Sequence, residues 1–338
     1  MRQNFVYLIV ISLLLGACKQ NRMDVDVSDV KIKPIITLRL ENDLFSLNEV
    51  NYTQKTNEIK GKYGSFYDRY IFSFLNKRGA YDSTSKPSIL KFIADKDMKN
   101  AYRYVKTIYT DSKIEELNSE INNCAKRFKY HFPKRNLPIK LVTCTNCFNY
   151  SVAYVDSNLV VGLDNYLGDT AIFYQMLQLP QYKTRCMNQN YILPDLVRGW
   201  ILTEFDNSEP VNTLLYHTIF YGKLYYCMSA LLPDTPDSLL IGYTKEQLKY
   251  CKTNEKNSWA FFAEKNRLYE NNLKIVQELT AEGPFTGAIS RQCPPRIAMW
   301  VGWQIVKSYM DKNENVTLEQ LMTEKDAQKI LSKSKYRP

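Results

Sequence analysis

An α+β fold, mainly helical with a small β-sheet, is what this sequence predicts. The runs that read as strands are few, and three of them crowd between residues 138 and 163. From residue 169 onward the apolar residues instead recur every three or four positions, the period of a helix. Composition sets the scale. The chain has 338 residues, 45% apolar and 24% charged, the mix of a protein with a sizeable buried core. Neither a disordered chain nor a polytopic membrane protein is expected, because only the extreme N-terminus is apolar enough to enter a bilayer.

That N-terminus reads as an address. Arg2 precedes an eleven-residue apolar run over 5–15, broken only by Ser12. The run has the length of a signal-peptide core and is too short to span a membrane. It ends in Leu15-Gly16-Ala17-Cys18, which resembles the bacterial lipobox. Residues 1–17 are then a lipoprotein signal peptide, 18–32 a lipidated polar tether and 33–338 a single domain. Acyl chains on Cys18 are the only non-protein group expected, and no metal or other cofactor is. Each buried methylene contributes ~0.8 kcal/mol, so more than one chain makes a stable anchor. Lys19 follows the cysteine where an aspartate would favour the inner membrane. The expected place is the outer membrane, facing the periplasm.

The net charge of +10 comes from 45 Lys plus Arg against 35 Asp plus Glu. The basic residues are spread along the chain among acidic ones, with no nucleic-acid-binding motif, so nucleic acid is not an expected partner. They make a solvated surface, or one drawn to anionic lipid or to an acidic partner.

In chain order, 33–40 reads as a first strand. The segment 63–75 has Phe66, Tyr70 and Phe74 on one helical face, and 98–108 is a second helix. Over 112–128, Ile114, Leu117, Ile121, Cys124 and Phe128 make a clear helical stripe, with Asp111 or Ser112 to cap it. Strands follow at 138–143, 150–155 and 159–163, the last two joined by a turn at Asp156-Ser157-Asn158. Helices are expected at 170–179, 191–205, 211–231, 244–268 with a break, 272–279, 294–310 and 318–331. Thr244 with Gln247, and Thr317 with Gln320, fit the capping box. Pro294-Pro295 suits the start of the 294–310 helix, and Gly302 between Trp300 and Trp303 predicts close helix packing.

Chemistry is sparse. His131 and His217 are the only histidines, so no HExxH zinc site can form; both read as packed or capping imidazoles. No GxSxG, P-loop or GxGxxG is present. Cys144-x-x-Cys147 lacks the second pair a zinc ribbon needs. It reads as a structural disulfide or as reduced buried thiols, ahead of a redox pair. Glu255 with Trp259, and Asp195 with Arg198, share helix faces, as surface pairs or as parts of a site. The Trp-rich 291–310 stretch reads as a core helix, or as an aromatic wall with Arg296 at its mouth.

Taken in order, these residues resemble the gliding motility-associated lipoprotein GldB family. The matching pieces are the lipobox at Cys18, the stretch 161–168, Tyr191-Ile192 through Asp195, Tyr221-Gly222-Lys223, Leu232-Pro233, Ile241 to Thr244, Asn254-Glu255, Trp259, Pro294-Pro295-Arg296, 300–310 and 334–338. The likeness covers most of the mature chain. It implies a part in surface gliding beside the type IX secretion machinery and other envelope lipoproteins, although relatives occur in cells that do not glide. The family is also distantly similar to predicted HExxH zinc proteases. On that relation the fold is degenerate zincin or metallopeptidase-like, with the motif set against Pro194-Asp195-Leu196-Val197-Arg198 and both imidazole positions lost.

The implied molecule is a pseudopeptidase that binds a peptide or partner segment and has no catalytic residues. Its groove would draw on Asp195, Arg198, Lys223, Glu255, Trp259, Arg296, Trp300 and Trp303. The alternative is an envelope hydrolase acting on peptide or glycan through Glu255, Asp195 and Glu204, or through an unrecognised metal site.

Overall fold

A computed structural model describes residues 23, 25–74, 85–205 and 213–338. The signal peptide, the lipobox and Cys18 lie outside the described residues. Four strands form one mixed sheet: β1 (Ile36–Arg39), β2 (Lys140–Cys144), β3 (Val152–Val155) and β4 (Asn158–Gly162), in the order β1-β2-β4-β3. β1, β2 and β4 run parallel, and β3 is antiparallel at one edge. All four lie within two or three residues of the runs expected from the sequence. The β3–β4 turn is a two-residue one. Asp156 and Ser157 both take left-handed φ (49° and 60°), as a tight hairpin that follows the sheet twist requires.

Both faces of the sheet are covered, which is why β2 and β4 read as nearly unbroken apolar runs. Leu141, Leu159 and Val161 point into the main core. Val142, Cys144 and Val160 point the other way, into a second core. Ahead of β2 the chain forms α1 (Leu40–Phe45), α2 (Tyr52–Tyr63), α3 (Ser65–Phe74), α4 (Ser85–Ala94), α5 (Lys96–Ile108) and α6 (Asp111–His131). The second core packs under α1 to α4, while α6 faces the main core. The α6 stripe is buried as its period demands, but Thr110 caps the helix, one residue ahead of the expected Asp111 or Ser112.

After β4 come α7 (Ile172–Met176), α8 (Gln181–Thr184), α9 (Ile192–Glu204), α10 (Leu214–Leu231), α11 (Asp237–Ile241), α12 (Lys245–Thr253), α13 (Glu255–Ala263), α14 (Leu273–Thr280), α15 (Ile297–Lys312), α16 (Leu318–Thr323) and α17 (Ala327–Ser334). Both capping boxes form, at Thr244 with Gln247 and at Thr317 with Gln320. The crossing of α10 and α15 dominates the main core. Gly222 and Gly302 meet there, and a Cβ built on Gly302 falls 1.8 Å from the Thr218 carbonyl oxygen.

Two expectations are corrected. Pro294-Pro295 does not start α15. Arg296 takes a left-handed φ of 57° and the helix begins at Ile297, because the Pro295 carbonyl accepts from the Tyr243 hydroxyl (2.5 Å) and Arg296 reaches back to α11. The 318–331 helix breaks into α16 and α17 where Lys223 takes the carbonyls of Met322, in the last turn of α16, and of Glu324 just after it. The described part of the tether, residues 23 and 25–32, lies against the domain. The Val25 carbonyl accepts from Arg127 (2.9 Å), the Met23 carbonyl lies 3.2 Å from His131 Nε2, and the Met23 side chain is buried at the end of α6.

Candidate functional site

α9 lies across β3 and β4 on the main-core side, and its first turns carry Asp195 and Arg198 three residues apart on one face. They open onto a cavity of about 360 Å³. β3 and the 148–151 loop form one wall, Tyr166 and Tyr191 line it, and Arg296 stands at Gly242 on the far side. Asp195 Oδ1 accepts from Arg198 Nη2, and its Oδ2 accepts from the Tyr166 hydroxyl at 2.7 Å. Burial, then the Asp195 carboxylate, push the Tyr166 hydroxyl well above its ordinary pKa. Burial works against the Arg198 charge, but Asp195, Tyr225 and Tyr166 together outweigh it and hold the guanidinium charged.

Arg296 donates from Nη2 to the Ile241 carbonyl at 2.9 Å, while its Nε is buried without a partner among the described residues. Gly242 makes this approach possible. Its φ of 72° ends α11, and a side chain there would press within 3.2 Å of Arg296 Nη2. Its carbonyl also accepts from Arg185 Nη2 at 2.9 Å.

A buried polar knot holds the loop above β3. Asp164 Oδ2 accepts from the Asn146 and Phe148 amides, each at 2.9 Å. Asn165 Nδ2 donates to Asn146 Oδ1 (3.2 Å) and to the Tyr150 carbonyl (3.0 Å). Cys147 and Phe148 take left-handed φ to make the turn.

Burial raises Asp164 from 3.8 to about 6. Its neutral form is therefore favoured in the folded chain. That contribution is fully present below about pH 4 and is lost as pH rises through about 6, a change of about 3 kcal/mol. An Asp164→Asn chain keeps an acceptor for both amides and does not titrate. The stability of the wild type relative to this variant, from urea midpoints, should fall by about that amount between pH 4 and 7. A pH-independent difference would rule out this account of the knot.

The residues expected in one groove divide among several places. Asp195, Arg198 and Arg296 share the cavity. Lys223 lies at a separate hollow with Glu204 and Arg135. Its Nζ donates to the Met322 and Glu324 carbonyls (3.2 and 2.7 Å), and burial lowers its pKa to about 8. Glu255 accepts from the Tyr336 hydroxyl (2.6 Å) and Trp259 meets the same ring edge-on, so both clasp the C-terminus. Trp300 and Trp303 are core residues and wall no groove, since both are buried and Trp303 packs on Tyr225. The three acids considered for hydrolysis do not converge: Asp195 pairs with Arg198, Glu204 with Arg135 (3.3 Å) and Glu255 with Tyr336.

Cys144 and Cys147 are separate thiols, so of the two readings the sequence left open the reduced pair is the one seen and the disulfide is not. The Cys144 thiol points to the Val161 carbonyl inside the second core, and Cys147 turns out toward Met98. Burial pushes the Cys147 thiol up to about 11. His131 is a packed imidazole, lowered by burial, and His217 meets Tyr216 edge-on. Among the described residues no three His, Cys, Asp or Glu side chains gather as a metal-ligand set. Tyr166, Asn146 and Asp164 escaped the sequence reading as site residues. The only hint was the 161–168 stretch, which holds Asp164 and Tyr166 but marks neither by its own pattern.

Among known protein families, the model described as gliding motility protein GldB matches residues 20–338 of this chain. No curated protein and no solved structure matches it.

Proposed function

The chain belongs to the family of gliding motility protein GldB, which makes it a membrane-anchored envelope lipoprotein, and from there we propose that it is a non-catalytic binding module of the gliding or type IX secretion machinery. It is lipidated on Cys18 and held at the outer membrane, facing the periplasm. It grips a peptide or partner segment in the Asp195–Arg198–Arg296 cavity and does not cut it.

The partners of Asp195 carry this reading. Both of its oxygens are already engaged, one by the Arg198 guanidinium and the other by the Tyr166 hydroxyl, so the carboxylate is held as one arm of an ion pair rather than aimed at a water. The relation to zinc proteases fits a scaffold that has lost its metal. On the alignment above, Pro194 and Arg198 stand where the two imidazoles would be. Proline offers no side-chain donor and a guanidinium has no lone pair to give. These residues do not fit zinc.

The test uses the lipidated protein and its Asp195→Asn and Arg198→Met variants, assayed for turnover of unfolded protein and of cell wall. No turnover above background is expected from any of them. In a deletion strain the wild type should restore envelope secretion, and Arg198→Met should not, at equal protein level. Turnover that vanishes in Asp195→Asn would establish a hydrolase instead.

A further inference from the structure

β3 is paired on one side only. Because a two-residue turn joins it to β4, Val155 and Asn158 form a hydrogen-bonded pair, and the ladder bonds recur at every second residue. The bond from Gly162 N to the Ser151 carbonyl (2.9 Å) fits that register. The N–H and C=O groups of Val152 and Tyr154 therefore point away from the sheet, and no other described residue takes them up.

A strand laid along that edge would send its side chains alternately to the two faces of the sheet. Each face has a hollow at β3. On the face that Val152 shares lies the cavity of Asp195, Arg198 and Arg296. On the face of Ala153 and Val155 lies an apolar hollow of about 530 Å³, walled by Phe66, Phe72 and Val160. Phe72 is 62% exposed there. The first hollow carries Lys183, Arg198 and Arg296 against Asp195 and Glu282. Asp195 neutralises Arg198, and the buried Arg296 Nε still lacks an acceptor.

We propose that β3 takes up an extended segment of a partner protein as a fifth strand, with acidic side chains toward Arg296 alternating with apolar ones toward Phe66 and Phe72. This rests on the binding reading above and gives the bound segment its conformation and pattern. Backbone hydrogen bonds supply affinity, and the two hollows supply selectivity.

The experiment measures binding of fluorescent octapeptides to the full lipoprotein in detergent. An alternating Val/Glu peptide should bind. Its counterpart N-methylated on alternate residues, and an alternating Val/Lys peptide, should each bind at least about tenfold more weakly. Arg296→Gln should erase the preference for Glu over Gln in the peptide. Binding that ignores N-methylation, yet still weakens in Arg296→Gln, would overturn strand addition and leave the cavity as a binding site. No detectable binding of Val/Glu, with Arg296→Gln also silent, would overturn both.

Discussion

Gly302→Ala should leave little folded protein at 37 °C. The added methyl would fall 1.8 Å from the Thr218 carbonyl oxygen, and a Cβ on Gly222 would fall 2.3 Å from the Gly302 carbonyl oxygen. Neither oxygen can swing aside, because both belong to helix backbone. α10 and α15 would have to move apart, and the contact between Tyr225 and Trp303 would open with them. Such overpacking against a rigid neighbour belongs with losses above about 4 kcal/mol, a large share of a typical total of about 5–15 kcal/mol. Gly61→Ala is the matched control. It sits in α2 with nothing within 4 Å of the new methyl and should gain about 0.5–1 kcal/mol from helix propensity. Thermal melts followed by circular dichroism compare the two. A Gly302→Ala chain melting within a few degrees of the wild type would show that the crossing is looser than described.

Arg39→Met should cost about 3–5 kcal/mol at neutral pH. Glu41 is fully buried where β1 runs into α1. Arg39 Nε donates to its Oε1 at 2.8 Å and Thr143 Oγ1 to its Oε2 at 2.7 Å. Arg39 also holds Asp111 (2.6 Å) and the Tyr109 carbonyl (2.9 Å), so it ties the start of the sheet to α6. Burial raises the Glu41 pKa even with Arg39 present. A carboxyl raised in the folded state contributes stability below its unfolded pKa, about 4.3, and loses it as pH rises. Without Arg39 that loss deepens, so the defect should be largest at pH 7 and shrink toward pH 4. Glu41→Gln in the same chain should recover much of it, since an amide is cheaper to bury. A pH-independent cost below 1 kcal/mol would mean that Arg39 is not what keeps Glu41 tolerable.

Strand positions were legible because Leu141-Val142 and Leu159-Val160-Val161 are short β-branched and apolar runs between turn residues. Capping boxes were legible because both partners lie within four residues. α2 was not. Its inward face is Tyr52, Thr56, Ile59 and Tyr63, among Lys, Asn, Gln and Glu, and tertiary contact rather than pattern decides its burial. Periodicity shows which residues share a face but not what lies opposite. Trp300 and Trp303 could therefore be read as a groove wall until the glycine crossing placed them inside. The pair of Asp195 with Arg198 was visible as one helical turn. Its third member, Tyr166, sits 29 positions earlier and meets Asp195 only because the sheet and α9 stack.

The hold of α6 on Met23 and Val25 has a mechanical consequence. On the proposed reading Cys18 carries the lipid, and four residues separate it from Met23. Fully stretched, that leash reaches only about 17 Å. Such a domain would pivot on the end of α6 close above the bilayer, and whatever it catches would have to arrive alongside the membrane.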